Sequence, residues 1–169
     1  MRIVAGFLLL TALLPGQQSS PISVCELLRD SDKYGGKIVT IRAYIHGGER
    51  HGYYLAENAD EKPCSKMPNS KREWPPTVAL RWFALDAVPG SDAFERTEKA
   101  VDAFYDAIRE IGNRRRTPVA MITGKIRTGR DIKIFHEPKE NIYAGNGYGE
   151  FGMHPVQLLV QAVLEIRGE

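Results

Sequence analysis

The chain has 169 residues, of which 43% are hydrophobic and 26% charged, a balance that is typical of one globular domain and too apolar for a disordered chain. Lysine and arginine number 23 and aspartate and glutamate 21, so the formal net charge of +2 argues against a polyanion binder that depends on bulk charge. Two cysteines exclude a disulfide-dense scaffold and a zinc site built from four cysteines.

The first residues of the chain have the pattern of an export signal. A positive end at Met1-Arg2 precedes an apolar run from Ile3 to Leu14, and a Pro-Gly pair ends that run. The run is shorter than the roughly 20 residues that a helix needs to cross a bilayer. We therefore predict a cleaved signal peptide over residues 1–20 and one mature domain over residues 21–169, with a retained anchor or a buried helix as the alternatives. The membrane is then a partner only during export, and the compartment is periplasmic or extracellular.

Export changes the chemistry expected of the two cysteines. Thiols outside the cytosol usually oxidise, and Cys25 and Cys64 are the only pair that the chain offers. We predict a Cys25–Cys64 disulfide that acts as a structural staple. Neither residue stands in a Cys-x-x-Cys motif or beside a histidine, so a reactive thiol or a metal-binding pair is the less favoured alternative.

The mature chain opens with a capped helix and a long strand. Ser23 and Glu26 have the spacing of a capping box, and Gly35-Gly36 ends the helical region. From Lys37 to His46 apolar and polar residues alternate, which predicts a strand with an apolar inner face. The inner residues are Val39, Ile41, Ala43 and Ile45, and the outer residues are Thr40, Arg42, Tyr44 and His46.

Two further strands and one long helix follow. Tyr53–Asn58 and Thr77–Leu85 have strand patterns, with a polar loop between them. Apolar residues from Phe94 to Ile111 recur at helical spacing, which predicts an amphipathic helix. Gly112 is a natural residue to follow the end of that helix, because glycine readily adopts the left-handed conformation found there.

The last part of the chain has two more predicted strands with a glycine-rich loop between them. Val119–Thr128 is the fourth strand, and a short segment from Ile132 to Phe135 is expected to pair briefly. His136–Pro155 is predicted as a long loop. Val156–Arg167 alternates strictly, which favours a closing strand over a helix. Its predicted inner face consists of Val156, Leu158, Val160, Ala162, Leu164 and Ile166.

This order of elements is that of an OB-fold, a five-stranded Greek-key barrel that carries a helix between its third and fourth strands. The chain resembles the exported OB-fold-like proteins of bacteria, which open with a Cys-x-Leu-Leu helix and a Tyr-Gly-Gly-Lys turn into a long first strand. Here these motifs are Cys25–Leu28 and Tyr34–Val39, and a third is Gly147–Gly152. The resemblance implies a mainly β domain with a short N-terminal helix and an exported setting. It implies no activity, because fold alone does not carry function.

Two regions carry the side chains of a candidate binding site. The outer strand faces combine cations and aromatic rings, a mixture that suits a protein, peptide or saccharide ligand; single-stranded nucleic acid also uses it, but export argues against that partner. The glycine-rich loop lies where OB-folds place a ligand-binding loop, so its aromatic residues either recognise a ligand or plug the end of the barrel. The candidate residues are Arg42, Tyr44, His46, Arg81, Phe83, Tyr148 and Phe151.

The sequence carries no catalytic signature. It has no Gly-x-Ser-x-Gly elbow and no His-Glu-x-x-His motif, and we predict no catalytic residue, no metal site and no cofactor. We expect a binding or interaction module. The alternatives are a small secreted hydrolase or metal-dependent enzyme and a purely structural envelope component. The enzyme requires histidines and carboxylates to converge in one pocket near the glycine-rich loop, and the histidines are His46, His51, His136 and His154.

Overall fold

The computed structural model describes residues 20–48, 50–61, 64, 76–82, 98–129, 132–137, 139 and 142–169. The predicted signal segment, except Ser20, and the candidate residue Phe83 lie outside the described residues. The helices are α1 (Val24–Arg29), α2 (Ser31–Tyr34) and α3 (Glu98–Asn113), with a 3-10 turn at Glu150–Gly152. The strands are β1 (Ile38–Gly48), β2 (Gly52–Ala56), β3 (Thr77–Trp82), β4 (Pro118–Thr128), β5 (Ile134–Glu137), β6 (Ile142–Gly145) and β7 (Val156–Gly168).

Five strands close a barrel in the order β1-β2-β3-β7-β4, and β4 returns to β1. Neighbouring strands are antiparallel except β3 and β7, which run parallel. Because α3 lies between the third and fourth barrel strands in the chain, the architecture is the mainly β, OB-fold-like barrel with a helix that the sequence predicts. β5 and β6 form a separate hairpin, which corrects the prediction of an unbroken loop from residue 136. The short strand predicted at Ile132–Phe135 overlaps β5, whereas β6 lies in the segment predicted as a loop.

The alternation of β1 turns its apolar residues into the barrel. Ile41, Ala43 and Ile45 are at most 3% exposed, and they share one buried cluster with Ile122 of β4 and Leu158 of β7. Burial of one large aliphatic side chain stabilises the fold by about 1.5–3 kcal/mol. A slip of one position would expose this whole set, so the register of β1 is strongly fixed. The alternate residues of β1 therefore lie on the outer face, as predicted.

The predicted inner face of β7 is correct in its first half and partly wrong in its second. Val156, Leu158 and Val160 are buried. The pairing with β4 then passes over Gln161 and Leu164, and each of these register shifts reverses the direction of the residues that follow. As a result Val163 and Ile166 pack against the core, whereas Ala162 is exposed and Leu164 is 52% exposed.

α3 packs against the barrel through aromatic rings. Phe104 is 3% exposed, and its ring centroid lies 4.9 Å from that of Trp82 and 6.0 Å from that of Tyr53, edge-on in both cases. Such edge-to-face pairs add about 0.5–1.5 kcal/mol beyond the area that they bury. The aromatic residues predicted to face inward from the helix therefore join it to β2 and β3.

The helix ends later than the sequence indicates. Gly112 lies inside α3, which continues to Asn113, so the expected role of Gly112 beyond the helix end is corrected. The left-handed residue is instead Arg115, with a φ of 57°. The N–H of Arg115 donates to the carbonyl of Gly112 at 2.9 Å, and the N–H of Arg116 donates to that of Ile111 at 3.3 Å. These two bonds define a Schellman ending.

α1 begins with the predicted serine cap. The Oγ of Ser23 accepts a hydrogen bond from the N–H of Glu26 at 3.1 Å. The Glu26 carboxylate accepts a hydrogen bond of 2.6 Å from the Tyr34 hydroxyl, and no bond from it to the Ser23 amide is found among the described residues. In the described part of the chain no helix combines the length and apolar character needed to cross a membrane.

Candidate functional site

The outer face of β1 forms the floor of a groove of about 450 Å³. Residues two apart in a strand point the same way, so Arg42 and Tyr44 both project outward while Ala43 between them points into the core. The volume lies within the range of roughly 300–1,000 Å³ that is usual for ligand pockets. The walls of this groove, called the β1 groove from here on, come from residues 21–23, Glu57, Val119 and Glu169.

One wall is a short segment that pairs with the edge of β1. The N–H of Ile22 donates to the carbonyl of Thr40 at 2.9 Å, and the N–H of Arg42 donates to the carbonyl of Ile22 at 3.2 Å. β2 begins to pair with β1 only at Tyr44, so Ile22 satisfies backbone groups that β2 does not reach. The wall is therefore fixed by backbone hydrogen bonds.

The next wall is fixed by the start of α1. The Oε2 of Glu57 accepts a hydrogen bond of 2.8 Å from the N–H of Cys25, where the helix leaves its first amide groups without partners. A disulfide joins Cys25 to Cys64, as the sequence predicts, and this crosslink fits an exported protein. The hydrogen bond and the disulfide together hold α1 against the chain that follows β2.

Three donors converge on the carboxylate of Glu169 at the opposite wall. Its Oε1 lies 3.4 Å from Nη2 of Arg42 and accepts a 2.8 Å bond from Nη2 of Arg167. Its Oε2 accepts a hydrogen bond of 2.8 Å from the Tyr44 hydroxyl. That hydrogen bond, followed by burial and the charge of Glu169, raises the pKa of Tyr44, so the hydroxyl remains a donor at neutral pH. Arg42 and Tyr44 thus bind a carboxylate inside the groove, whereas Arg167 reaches that carboxylate from outside the groove lining.

The candidate His46 lies outside the β1 groove, in a second polar cluster. Its ring stacks on that of Tyr54 with centroids 5.8 Å apart, and its Nδ1 lies 3.3 Å from the carboxylate of Glu61. Burial, followed by the charge and hydrogen bond of Glu61, raises the pKa of Tyr54 to about 12. The Nε2 of His46 is buried without a hydrogen-bond partner among the described residues.

The glycine-rich loop is docked on the outer side of this cluster through His154. The His154 side chain is buried, its Nδ1 shares a hydrogen bond of 2.8 Å with Oγ1 of Thr77, and its ring centroid lies 5.1 Å from that of Tyr54. Burial lowers the pKa of His154 to about 4, so the imidazole is neutral at pH 7. A side chain at Gly149, where φ is 74°, would meet the His154 ring at 2.5 Å. Glycine at this position is what allows the loop to lie so close.

The two aromatic candidates of this loop have different environments. The Tyr148 ring lies 5.7 Å from the guanidinium carbon of Arg127, a cation–π distance. Phe151 is 66% exposed and has a left-handed φ of 56°, so it does not plug the end of the barrel. Arg81 is exposed on β3 and is not among the residues that line the β1 groove. Of the predicted binding residues that the structure describes, Arg42 and Tyr44 line the β1 groove together.

The described histidines have separate polar partners, although His46 and His154 both lie against the ring of Tyr54. His51 pairs with Glu150, at 2.6 Å between Nδ1 and Oε2, while His46 pairs with Glu61 and His154 contacts Thr77. The side chain of His136 lies outside the described part of the chain. Among the described residues no group of three or more His, Cys, Asp or Glu side chains is placed to hold a metal ion.

Sequence reasoning missed the walls of the groove. Glu57 and Glu169 are ordinary surface glutamates in the sequence, and Glu169 meets Tyr44 across 125 positions of chain. No local pattern indicates such a contact, because it arises from the pairing of strands that are distant in sequence.

Comparison with protein-family models finds no match to the chain. Comparisons with curated proteins and with solved structures likewise find none.

Proposed function

We propose that this protein is an exported binding module that holds its ligand in the β1 groove and does not transform it. The observation that carries the proposal is the position of Arg42 and Tyr44, which project together into an open space of about 450 Å³. Guanidinium and phenol groups give direction to a ligand through hydrogen bonds, while the exposed Pro21 and the half-buried Ile22 offer apolar contact. This combination fits a small molecule or a short stretch of a peptide or saccharide.

The exported setting supports the proposal and is part of it. The Cys25–Cys64 disulfide needs an oxidising compartment to persist, and the apolar run before residue 20 has the pattern of a signal peptide. We propose residence in the periplasm or the extracellular space. Fractionation of producing cells, followed by mass spectrometry of the first residue of the protein, tests this. A protein recovered in the cytosol with Met1 in place would contradict it.

The test of binding is a screen for ligands that raise the unfolding temperature of the purified protein. A ligand present at 100 times its Kd adds about 2.7 kcal/mol to the free energy of unfolding. Saccharides, short peptides and small organic acids are compared on the native protein and on Arg42→Ala. Arg81→Ala is the matched control, since Arg81 is also an exposed arginine on an outer strand face but does not line the groove.

The outcomes separate the proposed function from its alternatives. A ligand that stabilises the native protein and Arg81→Ala but not Arg42→Ala supports the β1 groove. A ligand lost by Arg81→Ala and kept by Arg42→Ala contradicts that site. The mass of each ligand is also measured after incubation with the protein. A ligand that has been chemically converted would contradict the binding module and support the enzyme alternative. A screen without any hit favours a structural component of the envelope.

A further inference from the structure

We infer that the β1 groove accepts a carboxylate-bearing ligand, and that the side chain of Glu169 occupies the carboxylate subsite until the ligand displaces it. This inference rests on the proposed function, because it names the ligand chemistry of the same groove. The starting observation is that one carboxylate is held by two guanidinium groups and one phenol, which come from β1 and β7.

The donor set specifies the chemistry of the ligand. Guanidinium groups bind carboxylates through charge-assisted N–H···O hydrogen bonds, and here each guanidinium contacts a single carboxylate oxygen. Arg42 and Arg167 both lie at Oε1 of Glu169, and the Tyr44 hydroxyl binds Oε2, so both oxygens are occupied. Charge-assisted hydrogen bonds of this kind discriminate against neutral groups of the same shape. The subsite therefore favours a carboxylate over an amide.

The present occupant can leave at little cost. The side chains of Arg42, Arg167 and Glu169 are 52%, 45% and 39% exposed, so water screens these ion pairs. Ion pairs of such exposure typically contribute about 0–1 kcal/mol. The carboxylate of the ligand takes the place of the Glu169 carboxylate, and no buried contact of the barrel has to break.

The backbone of Glu169 stays in place when its side chain moves. Its N–H donates to the carbonyl of Thr117, and its carbonyl accepts from the N–H of Thr117, each at 3.0 Å. The side chain is thereby tethered beside the subsite, and a tethered group competes at a high effective concentration. A ligand then binds with an apparent affinity that is reduced by the fraction of molecules in which Glu169 occupies the subsite.

The experiment measures the Kd of N-acetylglutamate, with N-acetylglutamine as the neutral probe of the same size and inorganic phosphate as the tetrahedral anion. Chemical-shift changes at the amides of Arg42 and Tyr44 report occupation of the groove. Glu169→Ala removes the internal carboxylate and is expected to tighten the binding of N-acetylglutamate about five-fold. Glu169→Gln keeps the shape of the side chain and serves if the alanine variant is unstable.

Glu165→Ala is the matched control. Glu165 is an exposed glutamate of the same strand, and it pairs with Arg167 at 3.6 Å without a contact to Arg42 or Tyr44 among those described. This variant makes the same change in net charge and is expected to leave the Kd nearly unchanged. Arg42→Ala is expected to weaken the binding of N-acetylglutamate by up to about five-fold.

Equal tightening in Glu169→Ala and Glu165→Ala overturns the inference, because net charge alone then explains the effect. Equal affinity for N-acetylglutamate and N-acetylglutamine also overturns it, as does preference for phosphate. If a neutral ligand from the screen binds the groove with the same Kd in the native protein and in Glu169→Ala, this inference fails while the proposed function stands. If no compound binds the groove, both fail.

Discussion

Thr77 and His154 lie 77 positions apart in the chain, and a hydrogen bond of 2.8 Å between Oγ1 and Nδ1 joins them. The bond fastens the glycine-rich loop to the first residue of β3, beside the ring of Tyr54. Since both Thr77 and His154 are buried, the loop behaves as part of the folded body at this point. Because burial lowers the pKa of His154 to about 4, the attachment is made by a neutral imidazole at pH 7.

We predict that acid destabilises the protein through His154. Its pKa is about 4 in the folded state and 6.5 ordinarily, so between these values the unfolded chain binds a proton that the folded protein does not. The neutral imidazole makes its full contribution to the free energy of unfolding above pH 6.5, and this contribution is lost as the pH falls toward 4. The free energy of unfolding should fall by about 1.4 kcal/mol for each pH unit in this window.

Urea unfolding of the native protein and of His154→Gln between pH 4 and pH 7.5 measures this effect. The variant cannot take up the proton, so its free energy of unfolding should fall less steeply, whatever its value at pH 7. Identical slopes for the two proteins would show that His154 does not contribute to the acid sensitivity.

We predict that reduction of the disulfide weakens the fold without abolishing the barrel pattern of strands. Cys25 and Cys64 are separated by 39 positions, and a closed loop of that size contributes about 4 kcal/mol in the chain-entropy account. Unfolding in urea with and without a reductant measures the difference in the free energy of unfolding between the oxidised and the reduced protein. The double variant Cys25→Ser with Cys64→Ser is the control, and a reductant that destabilises it as much as the native protein would contradict the assignment.

We predict that Arg115→Gly stabilises the protein. Arg115 adopts a φ of 57° in the Schellman ending of α3, a conformation that costs a side chain about 1–2 kcal/mol. Glycine avoids that cost but gains freedom in the unfolded chain, so a net increase of about 0.5–1 kcal/mol is expected. Thermal unfolding measures it. Arg114→Gly, one position earlier and without a positive φ, should destabilise, and a stabilisation of similar size there would refute this explanation.

We predict that substitution by alanine has opposite effects on the free energy of unfolding at Gly124 and at Gly112. A Cβ at Gly124 in β4 would meet the carbonyl oxygen of Leu159 and lie 2.8 Å from Cδ1 of Leu158, so Gly124→Ala should cost about 1–3 kcal/mol. A Cβ at Gly112 meets nothing within 4 Å, and the residue is helical. Gly112→Ala should therefore stabilise by about 0.8–1 kcal/mol. Chemical unfolding of the two variants checks the signs, and a stabilising Gly124→Ala would be incompatible with the close pairing of β4 and β7.

Local patterns were sufficient for the elements of the barrel. The alternation of β1 predicts its inner and outer faces because a strand has a period of two, and a wrong register would expose Ile41 and Ile45 to water. The helical spacing of apolar residues predicts the amphipathic helix for the same kind of reason, and Phe104 lies on its buried side. The disulfide follows from there being only two cysteines, together with the expected export.

Local patterns failed where the chain departs from ideal periods. The register shifts in β7 at Gln161 and Leu164 reverse the outward and inward positions, and nothing in an alternating sequence marks them. Both shifts lie beyond Val160, where the pairing of β7 with β3 ends. The end of α3 was missed for a related reason, since Arg115 takes a conformation that sequence propensity assigns to glycine.

By itself, then, the sequence determined which residues of β1 and of the first half of β7 lie inside the barrel, since burial of apolar side chains depends on periodic spacing along a regular strand. Only the tertiary structure decided which outer residues meet. Arg42 and Tyr44 were recognisable as outward-facing, but the carboxylate that they hold comes from Glu169, at the far end of the chain. Such a contact depends on the closure of the barrel, which brings β1 beside β4 and the end of β7. The spacing of residues in the sequence does not indicate it.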